Sequence, residues 1–147
     1  MKRLAWPAIA AIGFVVSAVV CGWLLSAFMP GYGPGLLFMD AGIIEKLMMM
    51  LIVLLHLPIL VVGLIAVIDG KGRSGIPLRV MAAVSVTLGG FAALYGVYTI
   101  QYAVARIGSV SFAVTAPGYA EAALATAMGF FAATLALTFH LLGDRCR

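Results

Sequence analysis

Residues 47–68 read LMMMLIVLLHLPILVVGLIAVI, without one charged side chain. A helix needs about 20 such residues to cross a hydrocarbon core about 30 Å thick. A helix on a soluble domain would alternate this apolar face with a charged one. Here His56 is the only ionisable group in the run, and Pro58 follows two residues later. The segment reads as a membrane-spanning helix.

Three further runs share this character. Residues 4–29 lie in a stretch with no charge between Arg3 and Asp40. Residues 80–105 are uncharged, and residues 117–143 contain one acid, Glu121, before the polar tail. Over the 147 residues, 65% are hydrophobic and 10% charged, against about 25% charged in a typical soluble domain. The runs greatly exceed the roughly 10 residues of a barrel strand, and a helix satisfies its own backbone in lipid. The expected fold is an all-α integral membrane protein. It has four transmembrane helices, short loops and one membrane domain over residues 1–147.

The net charge of +4 does not describe a nucleic-acid surface, because the basic residues stand at the edges of the apolar runs. Lys2, Arg3, Lys71, Arg73, Arg79, Arg145 and Arg147 fall on one side if both termini are cytoplasmic; Lys46 and Arg106 fall on the other. This asymmetry predicts an N-in, C-in arrangement. Residues 30–46, opening with the turn-rich PGYGPG, and residues 106–116 are then outer segments. The loop 69–79 is too short to fold alone. The N-terminal run is longer than the 7–15 apolar residues of a signal peptide, so a retained anchor is expected. Cys21 and Cys146 have no metal-ligand or C-x-x-C spacing, and neither a disulfide nor a cofactor is expected. Nothing resembles a nucleotide loop or a nucleophile-and-base pair, so enzymatic activity is not expected.

Small residues recur at helix-packing intervals. Gly118, Ala122 and Thr126 form one row, and Ala125, Gly129 and Ala133 a second. In the third span Gly89 stands four before Ala93, and Ala92 four before Gly96. Such spacing brings helices close in lipid and marks spans three and four as the tightly packed pair. Glu121 is the only acid within a predicted span, and a carboxylate at a helix centre costs about 2.5–3.5 kcal/mol on insertion scales. It is either a functional group or an interfacial acid near a helix N-terminus, with Arg106 a candidate ion partner. His56 could relay protons or bond a carbonyl freed by Pro58. Gln101, with Tyr95, Tyr98 and Tyr102, could line a lumen or sit in the outer belt.

The stretch 112–129, FAVTAPGYAEAALATAMG, resembles the motif A-P-G-I-A-E-A-L-x-A-T-A-x-G of the MotA/TolQ/ExbB proton-channel family, in its ExbB/TolQ branch. Residues 89–96 fall where that family has G-L-x-G-T-V-x-G. The resemblance covers about residues 85–140, and the second block is the specific one. It implies a bacterial inner-membrane homo-oligomer, a ring of five subunits around single-span partners of the ExbD/TolR/MotB type. Such a ring couples proton flow to work in the envelope. By position, Glu121 matches the family glutamate and Thr126 its pore threonine. Ala93 stands where the family has a threonine, Leu135 where it has a proline, and residues 69–79 replace a large cytoplasmic domain. Glu121 and Thr126 are about 140° apart on a helix and cannot share one narrow stripe. The alternative from another class is a non-conducting scaffold or assembly protein that keeps only the packing core.

Overall fold

A computed structural model describes residues 2–69 and 75–145. Lys71, Arg73, Cys146 and Arg147, used above for topology and cysteine chemistry, lie outside the described residues. The chain forms α1 (Lys2–Phe28), α2 (Pro34–Asp40), α3 (Ile43–Asp69), α4 (Gly75–Ile107) and α5 (Phe112–Arg145). Four of these are long and apolar enough to cross a membrane. No strand occurs among the described residues.

The helix ends follow local chemistry. Pro34 opens α2 behind Gly33, where its fixed φ suits the first helical position and its missing N–H costs nothing. Gly108, at φ +96°, ends α4, and its N–H bonds the Val104 carbonyl at 2.9 Å. That is an αL cap, a conformation strained for any residue with a Cβ. α5 runs through Pro117 and begins five residues before it.

α5 is the hub, packed against α1, α2, α3 and α4. Among the described residues the α1 backbone comes close to that of α5 alone, so α1 stands apart from α3 and α4 and leaves a groove on each side. The inward residues of α4 are Leu78, Ala82, Ser85, Gly89, Ala92 and Gly96. Those of α3 are Glu45, Met49, Ile52, His56, Ile59, Gly63 and Ala66, with His56 half-buried and the rest buried. Both sets alternate steps of four and three, a 3.5-residue period that favours left-handed packing near +20°. The other faces of α1 and α3, including Ile12, Val19, Leu57, Leu64 and Ile68, are exposed, as lipid contact requires.

The tightest crossing lies between α4 and α5. A Cβ on Gly129 would come 2.6 Å from the Ser85 carbonyl oxygen and 3.1 Å from Gly89 Cα. The row of Ala125, Gly129 and Ala133 is fully buried at this seam. The row of Gly118, Ala122 and Thr126 is looser: Gly118 meets the Ile100 side chain, and Thr126 is half-buried.

Two features add to the expectations. Residues 30–46, read as an outer segment opening with turns, contain a helix, α2, which packs along α5. It buries Leu37 in a cluster with Cys21, Leu24, Leu25 and Ala120. Apolar burial along Leu37 and Ala41 outweighs the turn propensity of the PGYGPG stretch. Glu121 is not the only acid within a long helix, since α3 starts at Ile43 and takes in Glu45 and Lys46.

Candidate functional site

The short α2 ends beside α5, and its turn at Ala41 and Gly42 leads directly into α3. Glu45 is the third residue of α3. An acid there is favoured by the helix dipole and can reach back toward the residue before the helix. It does so here: its carboxylate lies against Gly42, in the space a Cβ on that residue would need. Its other oxygen sits 3.6 Å from where a Cβ on Gly96 of α4 would stand. A Cβ at Gly42 would displace this carboxylate, whereas one at Gly96 would meet it at ordinary contact distance. Glu45 is only 8% exposed, although its side chain is ionisable.

Glu121 reaches the same place from α5. The Gly42 backbone lies beside its carboxyl, and the charged groups within electrostatic range are Glu45, Asp40 and Lys46. Its neighbour Ala122 packs beside Gly96. Residues of α2, α3, α4 and α5 thus converge on one point. Glu45 and Glu121 share the Gly42 turn, Asp40 and Lys46 lie within electrostatic range of Glu121, and Lys46 Nζ donates to the Met39 carbonyl at the end of α2. Glu45 and Glu121 repel when both are charged, and the repulsion grows as water is excluded. A cation taken up between them relieves it.

α5 runs 33 residues from Phe112 to Asp144, about 50 Å at 1.5 Å per residue, longer than a hydrocarbon core of about 30 Å requires. Glu121 stands nine residues from its start, about 14 Å along the axis.

Arg106 is not the partner of Glu121. Its guanidinium lies over the Tyr102 ring, 4.7 Å from the centroid, a cation–π contact that holds it on α4. Gln101 Nε2 donates to the Tyr119 hydroxyl at 2.8 Å and links α4 to α5. His56 Nδ1 is 2.8 Å from the Ile52 carbonyl, and its ring stacks on Phe131 at 5.6 Å. The freed carbonyl near Pro58 is therefore not the group it bonds. Thr126 Oγ1 donates to the Ala122 carbonyl one turn back, at 2.8 Å. Ala93 is half-buried.

Thr126 and Glu121 serve different interfaces. Glu121 points to the α2–α3 turn. Thr126 shares a stripe with Ala133, Leu137 and Asp144, 7, 11 and 18 residues on, which follow one face at 100° per residue. Those three line the groove between α1 and α4. Among the described residues, no group of three His, Cys, Asp or Glu side chains could hold a metal ion. No protein-family model, curated protein or solved structure matches the chain.

Glu45 is the functional candidate that sequence reasoning missed. The signal was present, since an acid three residues after Gly42 and ahead of an apolar run marks a helix N-terminus. Placing the span at Leu47, after the Lys46 charge, hid it.

Proposed function

We propose that the chain is a subunit of an ion-driven membrane assembly of the ExbB/TolQ/MotA type. It lies in a bacterial inner membrane with both termini cytoplasmic, as a homo-oligomer. It couples cation flow, with the proton as first candidate, to envelope work through a single-span partner like ExbD, TolR or MotB. The approach of Glu45 and Glu121 to each other beside Gly42, within two helices long and apolar enough to cross a membrane, carries this reading. Intramembrane carboxylates are costly, and those that face one another inside a bundle commonly mark ion pathways. The surplus of acid over base at the site suits a mobile cation. Resemblance around residues 112–129 supplies the class of machine.

A second reading has its own observation. The Thr126 hydroxyl is engaged by its own helix and lies away from Glu121, and Ala93 brings no hydroxyl. A scaffold that kept the packing and lost the path would look like this. Purification of the native complex separates the two, because co-purifying a single-span protein with a membrane aspartate contradicts the scaffold.

The functional test replaces the native gene with Glu121→Ala and Thr126→Ala forms. Both should insert at wild-type levels, and Glu121→Ala should abolish proton flux and complementation. If both variants keep full activity, the channel reading fails. Loss with Glu121→Ala alone keeps the carboxylate site and removes Thr126 from it.

A further inference from the structure

At the end of the bundle opposite the carboxylate pair, the gap between α1 and α4 opens into a groove of about 660 Å³ floored by α5. Its walls are apolar: Ile9 and Ala10 of α1, Ala82 and Val86 of α4, Phe130 and Ala133 of α5. Polar side chains line only its mouth, where Arg79, His140 and Asp144 gather beside Trp6. Arg79 Nε donates to His140 Nε2 at 2.9 Å. The His140 ring is itself braced by the start of α4, since a Cβ on Gly75 would lie 3.1 Å from its Cε1. The bond uses one guanidinium donor and fixes the plane, and guanidinium presents five N–H donors in all.

We infer that this groove is a site for an anionic phospholipid of the leaflet on the N-terminal side. Arg79 holds the phosphate and His140 positions Arg79, while an acyl chain runs along α5 between α1 and α4. Three observations converge. The first is shape: from Asp144 to Phe130 the floor spans 14 residues, about 21 Å, the thickness of one leaflet in a bilayer of about 40–45 Å. The second is polarity, which is confined to one end, with Trp6 beside it at the level where indole rings favour the headgroups. The third is charge. The helix ends on this side carry Lys2, Arg3, Arg79 and Arg145 in sequence against Asp69 and Asp144. A guanidinium matches a phosphodiester better than an ammonium does, because its planar fork bonds two oxygens. The site stands whether or not the subunit conducts. It sits on the stripe that continues from Thr126, so the bound chain would lie in line with that residue.

The test is native mass spectrometry of the full chain in detergent, with equal dioleoyl-phosphatidylglycerol and dioleoyl-phosphatidylcholine. Wild type should retain the anionic lipid in preference. Arg79→Gln should lower that retention about fivefold, the share of one basic residue near a membrane surface, and lower phosphatidylcholine less, because its own ammonium already offsets the phosphate charge. Ala83→Trp, on the exposed wall of the groove, should displace phosphatidylglycerol with Arg79 still present. Inorganic phosphate at the same concentration should not compete. Circular dichroism of each variant checks that the helices are intact. Equal retention of the two lipids by wild type, or an unchanged preference in Arg79→Gln, overturns the phosphate site. Undiminished binding in Ala83→Trp overturns the acyl groove, and competition by inorganic phosphate overturns the lipid as its ligand.

Discussion

Replacing Gly129 by alanine adds one methyl group where two helix backbones touch. The new Cβ would stand 2.6 Å from the Ser85 carbonyl oxygen, 0.8 Å inside the 3.4 Å at which ordinary contact begins. The obstacle is backbone, so no rotamer change relieves it, and α4 and α5 must separate by several tenths of an ångström. A radial gap of about 0.5–1 Å forfeits a quarter to a half of each dispersion contact. The loss would spread along buried Ala82, Ala92, Ala125 and Ala133. Overpacking of this kind costs about 1–3 kcal/mol, and alanine's better helix propensity returns about 0.5–1 kcal/mol. A net destabilisation of about 1–2 kcal/mol is expected. Gly90→Ala is the control, because nothing lies within 4 Å of its Cβ position; it should be neutral or slightly stabilising. Unfolding in mixed micelles with rising dodecyl sulfate, followed by circular dichroism, gives both values. If Gly129→Ala is as stable as Gly90→Ala, the close crossing of α4 and α5 is wrong.

Two other expectations concern topology and packing. A fluorescent protein fused after Arg147 should fluoresce in the cytoplasm, and alkaline phosphatase at the same place should be inactive; the reverse pattern would refute the N-in, C-in orientation. Cys21 is 4% exposed and packs with Leu24, Leu25, Leu37 and Ala120. In a Cys146→Ser background it should resist maleimide in mild detergent and react only after denaturation, and rapid labelling of the native protein would contradict the docking of α2.

The four long helices were legible because an uncharged run of this length has few alternatives in water or lipid. The angular separation of Glu121 and Thr126 was also legible, since 100° per residue is a local property. The seam around Gly129 was visible as small-residue spacing. The partner residues Ser85 and Gly89 needed the register of two helices, which no single span specifies. α2 was hidden because Pro30, Gly31, Gly33, Pro34 and Gly35 signal turns, and only tertiary burial of Leu37 makes the following helix. Glu45 was hidden for a related reason. A charge is a poor guide to a core position, and the 3.5-residue pattern of α3 reaches Glu45 only when a carboxylate is allowed among its inward residues. That the α1 backbone comes close to α5 alone had no trace in its composition.

The carboxylate pair makes one demand that neither glutamate makes singly. If Glu45 and Glu121 form one cation site, removing either should disable it and removing both should add little, because groups that act as a unit are non-additive. Proton flux into membrane vesicles from the native host, driven by an imposed potential, can be compared for wild type, Glu45→Gln, Glu121→Gln and the double variant. Each single variant should lose at least about tenfold, or 1.4 kcal/mol, with the double variant no slower than the slower single. Wild-type flux in Glu45→Gln, or losses that multiply in the double variant, would contradict a shared site.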